Sequence, residues 1–288
     1  MVRWDGLRFG LAPRMLPALD ILVQGDRWVV VAKPPGMVVH RSEWAPNAPA
    51  VLQTLRDQLN TRVFPVHRLD GAVSGCLLMA TESKVAGMLS AALQSETARK
   101  RYVAFVRGYF ASDEDVFIEK PMKDDNGILR DARSVVRCIG RSQEPRCSLL
   151  EVEPFTGRFH QVRRHVRDLH HPVLGDSEHG DNKENRAWKE RGLQRLGLHC
   201  MSIELDLPEG GRLDVRCPPF VDHVRVWRGL PYWEETVRLR PLLASEPLDY
   251  WGSGDAEPSA SVLADAADSD HGIVGEEETA FAGEQVGE

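Results

Sequence analysis

The stretch VFPVHRLDGAVSGCLLMA, residues 63–80, constrains this chain more than any other. An apolar segment carries His67, Arg68 and Asp70, then resumes as Cys76–Leu77–Leu78–Met79–Ala80. A base, a cation and an acid therefore stand at the mouth of a run that reads as a buried strand. Asp70 precedes a Gly71–Ala72 break, so the spacing predicts a loop at a strand end. Loops held by a rigid sheet are where reactive groups tend to be placed. Spacing alone fits a surface turn with an ion pair at least as well.

Further strand-like runs, rich in Val, Ile, Tyr and Phe, are expected at Trp28–Lys33, Gly75–Ala80, Tyr102–Gly108, Ser148–Pro154, Leu198–Leu205 and Arg212–Arg216. Helical spacing lies between them. Val85, Met88, Leu89, Ala92 and Leu93 fall on one helix face, as do Val51, Leu55 and Leu59. Across 157–169, Phe159, Val162, Val166 and Leu169 form an apolar face, and His160, Arg163, Arg164 and Arg167 a basic one. Helices and strands mix without regular βαβ alternation, which predicts an α+β fold with a mixed or largely antiparallel sheet. KPPG at 33–36 reads as a turn after a strand. Neither G-x-G-x-x-G nor a P-loop pattern occurs, so no nucleotide cofactor is indicated.

The chain has 288 residues, 42% hydrophobic, enough for one large domain or two packed subdomains. Its net charge of −7 looks wrong for a partner of nucleic acid. Residues 252–288, however, hold ten of the 43 acidic residues and none of the 36 basic ones. Without them the body is mildly basic, at +3. That Ala-, Gly- and Ser-rich tail buries too little apolar area to offset its ordering entropy and is expected to be disordered, as a domain of its own over 251–288. It reads as a solvating appendage or as a competitor of nucleic acid for the basic body. Residues 1–17 read as a loose extension without a signal-peptide core, ahead of a folded body over 18–250. Five scattered cysteines, Cys76, Cys138, Cys147, Cys200 and Cys217, form no C-x-x-C pair and fit a reducing cytoplasm. No apolar run approaches the roughly 20 residues that span a bilayer.

Three groups of residues could do chemistry. An ionised Asp70 can attack an electrophilic carbon, given a cation to sustain its charge. The basic face at 157–169 could attract phosphates, or be a solvated helix face. Tyr102, behind Arg99, Lys100 and Arg101, could stack on a base or be a core aromatic. A metal site is not expected. His160 and His165 are five apart, poor spacing for one helix face, and His170, His171 and His179 fall in what reads as a loop.

These pieces assemble into a resemblance. HRLDGAVSGCLLMA resembles the His-Arg-Leu-Asp signature of the RluA-type pseudouridine synthases. KRYVAFVRG, FTGRFHQVRRHVRDLHHPVLGD, RLGLHCMSIEL and AKPPGMVVH resemble four further motifs of that family. All five stand in family order across roughly residues 18 to 220. VVHRSEW, VLQTLRDQL and GDSEHGDNKENR resemble the bacterial subgroup that modifies uridine 65 of tRNA. The resemblance implies an α+β catalytic domain, a mixed, mostly antiparallel sheet in two subdomains with a central cleft. It implies isomerisation of uridine to pseudouridine in RNA, tRNA being the expected substrate, without cofactor or metal. By the same resemblance Asp70 is the nucleophile, Arg163 its charge partner, and Tyr102 the ring that stacks on the base and assists proton removal. Arg68 would fill the gap left by a flipped nucleotide, and His67 would position the loop. Lys100, Arg101, Arg158, His160 and Arg164 are expected RNA contacts, and the enzyme is expected to be a cytoplasmic monomer. Gly71, Val73 and Cys76 depart from the motif, which loosens the choice of RNA. A ribosomal RNA substrate, a non-catalytic RNA-binding protein and, more distantly, a carboxylate hydrolase stay open.

Overall fold

The computed structural model describes residues 17–41, 46–124 and 126–250. Most of the expected N-terminal extension and the whole acidic tail lie outside the described residues. In chain order the elements are β1 (Ile21–Gln24), β2 (Trp28–Lys33), α1 (Val51–Leu59), β3 (Phe64–Pro65), β4 (Ser74–Ala80), α2 (Ser83–Ala92) and β5 (Arg99–Arg107). There follow β6 (Val116–Glu119), β7 (Met122–Lys123), β8 (Leu129–Arg130), β9 (Arg133–Gln143), β10 (Arg146–Pro154), α3 (Gln161–Asp168) and α4 (Asn182–Glu190). The last are β11 (Leu198–Asp206), β12 (Arg212–Arg216), α5 (Val221–Trp227), α6 (Trp233–Leu239) and a 3-10 turn (Pro241–Ala244).

Ten strands form one sheet along the path β1-β2-β4-β11-β5-β10-β9-β6, with β12 on β11 and β3 on β4. β7 and β8 make a separate hairpin. Every pairing in the large sheet is antiparallel except β4 with β11, so the fold is α+β with a mixed, mostly antiparallel sheet. At that parallel pair Gly75 has φ +119°, and a Cβ there would stand 2.2 Å from the Cys200 carbonyl oxygen. Only glycine tolerates both the dihedral and the approach.

Strand alternation sends each central strand's side chains into two separate cores. Tyr102, Ala104 and Val106 of β5 enter the larger core, whereas Val103 and Phe105 enter the smaller. In β10, Leu150 and Val152 go one way and Cys147 and Leu149 the other. Helices α1, α2 and α3 pack into the larger core through Val51, Leu55, Val85, Ala86, Leu89, Val162 and Val166. Trp188 of α4, Trp227 of α5 and Trp233 of α6 fill the smaller one.

Two expected helix faces are corrected. Met88 is exposed, at 37%, because α2 turns Val85, Ala86 and Leu89 to the sheet instead. The helix expected over 157–169 begins only at Gln161, since His160 adopts a left-handed conformation, φ +50°. The basic stripe is therefore broken at its first member.

Candidate active site

The Asp70 loop is clamped from several sides. Lys33, the last residue of β2, is wholly buried. Its ammonium donates to the carbonyls of Pro34 (3.0 Å), Met37 and Gly71 (3.0 Å), and the Gly36 N–H also donates to Gly71 O. The KPPG turn thus holds the residue beside Asp70. On the other side His67 Nε2 accepts the Leu78 N–H at 3.1 Å. Burial, and then the nearby Lys100 charge, push His67 down to about 3, so it stays a neutral acceptor. Where the loop enters β4, Ser74 Oγ lies 3.0 Å from His199 Nδ1, and His199 Nε2 meets the Cys217 carbonyl at 3.1 Å. Arg195 donates to Ser74 Oγ at 3.2 Å and pairs with Asp222.

Asp70 then meets its partners. Arg163 Nη1 donates to Asp70 Oδ2 at 3.1 Å. Arg163 is itself held by Asp176, Nε to Oδ2 at 2.8 Å and Nη2 to Oδ1 at 2.7 Å, a two-pronged geometry only a guanidinium supplies. The Asp176 side chain has no exposure. Burial alone would push its carboxyl up, yet the Arg163 hydrogen bonds and charge hold it below the ordinary value. Burial would equally lower Arg163, and Asp176 and Asp70 together raise it instead. The cation is therefore permanent, and Asp176 fixes which edge of it faces Asp70. His160 completes the cluster, with Nε2 3.4 Å from Asp70 Oδ2.

These residues open onto a cleft of about 530 Å³ that crosses the middle of the sheet. That volume lies within the ~300–1,000 Å³ of small-molecule sites and accommodates a nucleotide. Its wall includes His67, Arg68, Asp70, Lys100, Tyr102, Arg158, His160 and Arg163. Tyr102 is buried, with Cys200 close to its hydroxyl. Burial first, then Cys200 and the Asp70 charge, drive its pKa well above the ordinary value. The site presents a neutral phenol, a flat ring with a bound proton.

Two expected RNA contacts lie elsewhere. Arg101 points to the opposite face of β5 from Lys100 and Tyr102, where it pairs with Glu204 and with Glu153 (3.2 Å). Arg164 turns away from the cleft, its Nη1 3.3 Å from the Phe159 carbonyl. The period-two strand separates Arg101 from its neighbours, and the late helix start separates Arg164 from His160.

The structure adds residues the sequence reading passed over. Arg133, at the start of β9, lines the cleft beside Arg158 without any motif around it. Gln161 accepts the Arg158 N–H (2.9 Å) and the Thr156 hydroxyl (2.7 Å), and donates to Arg133 O (2.9 Å), so it shapes the 156–158 turn. Asp176 lay within a matched motif, HPVLGD, whose acid was the available signal. Among the described residues, His160, Glu178 and His179 gather metal-ligating atoms within 4.8 Å of one another.

A family model described as RNA pseudouridylate synthase matches residues 27–168. Curated relatives named tRNA pseudouridine synthase C align with much of the chain. That of Haemophilus ducreyi is 37% identical over 213 residues, 66% of this chain and 86% of the relative. That of Yersinia pestis is 39% identical over 213 residues, covering 67% and 83%. That of Vibrio cholerae is 36% identical over 250 residues, covering 77% and 99%. Among solved structures, human RNA pseudouridylate synthase domain containing 1 shares the fold, with TM-score 0.59 at 20% identity over 80% of this chain and 96% of that one. Human RNA pseudouridylate synthase domain containing 4 does likewise, with TM-score 0.57 at 20% identity over 80% and 95%. The chain belongs to the RNA pseudouridylate synthase family, and it is an RNA pseudouridine synthase of the RluA type.

Proposed function

We propose that this enzyme isomerises a uridine of tRNA, with Asp70 as the nucleophile. The observation that carries the reading is Asp70 at the mouth of a nucleotide-sized cleft, 3.1 Å from an arginine whose orientation a buried aspartate fixes. The choice of tRNA is supported by the names of the relatives.

In this reading the target uridine leaves its stack and enters the cleft, at a cost of a few kcal/mol. Arg68, exposed at the rim, fills the gap with a planar cation. Asp70 attacks the nucleoside, and the uracil separates from its ribose, turns and rejoins through C5. Arg163 holds the charge of the carboxylate before attack and again after release. Tyr102 packs its ring against the base. Because its hydroxyl is protonated, it serves the final loss of the C5 proton only as a hydrogen-bonding relay. Two of the enzyme's expected traits belong here as well: action in the cytoplasm, in keeping with five unpaired cysteines, and action as a monomer.

Asp70→Asn tests the chemistry. Tritium release from C5-labelled tRNA is expected to vanish while tRNA affinity stays within a few-fold of the parent. A variant that turns over normally would refute the role of Asp70. Pseudouridine mapping in tRNA and ribosomal RNA from a deletion strain tests the substrate. Loss of the modification from ribosomal RNA alone would overturn the tRNA reading and leave the chemistry standing.

A further inference from the structure

We propose that His160, Glu178 and His179 form a binding site for a divalent first-row transition-metal ion of the Zn²⁺ class, set directly behind Asp70. His160 Nδ1 lies 3.0 Å from His179 Nε2, and Glu178 Oε1 lies 3.3 Å from each. A tetrahedral Zn²⁺ with bonds of about 2.0–2.1 Å has ligand–ligand edges of roughly 3.3 Å. The three atoms thus outline one face of such a tetrahedron. Two imidazoles and one carboxylate are a donor set that such ions favour, with a fourth position left for water.

Hydrogen bonding satisfies this cluster poorly. Only one proton can lie between the two ring nitrogens, and it leaves the carboxylate oxygen facing a bare lone pair at 3.3 Å. A cation at the common centre satisfies all three. The surroundings fit as well. Asp70, Asp176 and Glu178 converge on one guanidinium, that of Arg163, so the group carries an excess of anionic charge that a dication offsets. Glu178 keeps its second oxygen 3.5 Å from Arg163 Nη2. His160 turns its other nitrogen, Nε2, to Asp70 Oδ2 at 3.4 Å. A ligating histidine commonly donates its remaining N–H to a carboxylate, which fixes ring and tautomer. The left-handed conformation of His160 is what brings the cluster together. It takes that ring out of the helical register and turns it toward the 176–179 loop.

The ion's effect on turnover rests on the nucleophile reading, whereas its binding does not. With the site filled, His160 is locked as an Nε2–H donor toward Asp70, and the added positive charge makes that carboxylate a poorer nucleophile. The test uses the untagged full chain, stripped with chelator and titrated with Co²⁺. We expect one equivalent to bind with the visible d–d bands of a tetrahedral nitrogen–oxygen site and no thiolate charge-transfer band. Zn²⁺ should displace it. His179→Asn and Glu178→Gln, whose side chains are less buried than His160, should each weaken binding by about 100-fold or more, with apo melting temperatures matching the parent. His170→Asn, off the cluster, should bind as the parent does. Failure to bind one equivalent, a thiolate band, or affinity indifferent to both variants would overturn the site. Metal binding without any change in tritium release would retain the site and refute its influence on Asp70.

Discussion

At the scale of single residues the site turns on one guanidinium with two obligations. Arg163 is 7% exposed, and Asp176 opposite it has no water to turn to. Arg163→Lys keeps the charge and loses the fork, so it cannot bond both oxygens of Asp176 and still reach Asp70. Single-turnover rates should fall by about 10²–10³-fold with tRNA affinity little changed, the cost of one misplaced electrostatic donor. A loss confined to affinity would remove that role. Arg163→Ala should cost stability as well, by roughly 3–5 kcal/mol, because it strands a buried carboxylate. His199 gives a second residue-scale expectation. Burial pushes it down to about 4, below the ~6.5 of an unfolded chain. The unfolded state takes up the proton first, so stability is fully present above about pH 6.5 and declines as pH falls toward 4. The decline reaches about 1.4 kcal/mol one unit below 6.5. Urea midpoints at neutral and mildly acid pH should show the drop in the parent and a smaller one in His199→Gln. An equal drop in both would show that this histidine does not drive it.

At the scale of elements, the readable parts were those whose pattern matched their burial. β2 and β12 lie where their runs of strand-forming residues predict, and β4, β10 and β11 within two residues of it. β9 was missed because Arg133, Arg137 and Arg141 interrupt its apolar run, although Val135, Val136 and Ile139 are buried. The Arg99–Lys100–Arg101 cluster reads as one basic patch along the sequence and is two surfaces in the strand. Arg99 and Arg101 reach Glu153 on one face, and Lys100 faces the cleft on the other. The Asp70 loop was legible as a motif, but its clamp was not, since nothing local marks Lys33 as the donor to Gly71 O. The close contact of β4 with β11 is similarly silent in sequence. Gly75→Ala should therefore destabilise by roughly 3 kcal/mol or more, combining strain at positive φ with a clash against backbone that cannot move aside. A melting temperature near that of the parent would mean the two strands can separate at this point without loss.

At the scale of the molecule, one sheet presents opposite chemistries on its two sides. The back holds Glu151 and Glu153 against Arg99, Arg101, Arg137 and Arg240, ion pairs closed within the protein. The cleft side carries Arg68, Arg133 and Arg158 at the rim, all exposed. RNA bound there releases counterions from each phosphate a rim cation meets, so the logarithm of affinity should fall linearly with the logarithm of salt. Each such contact contributes a slope of about 0.7 on a single strand and about 0.9 on a B-form duplex. Replacing both Arg133 and Arg158 by alanine should flatten the slope by roughly 1.5 and weaken binding most at low salt. Arg101→Ala should leave the slope unchanged and lower the melting temperature, because its charge is spent on Glu153 and Glu204. Filter binding of tRNA over a tenfold range of salt separates the cases. An unaltered slope in the double variant, or a flattened one in Arg101→Ala, would place the RNA on the other side of the sheet and away from Asp70.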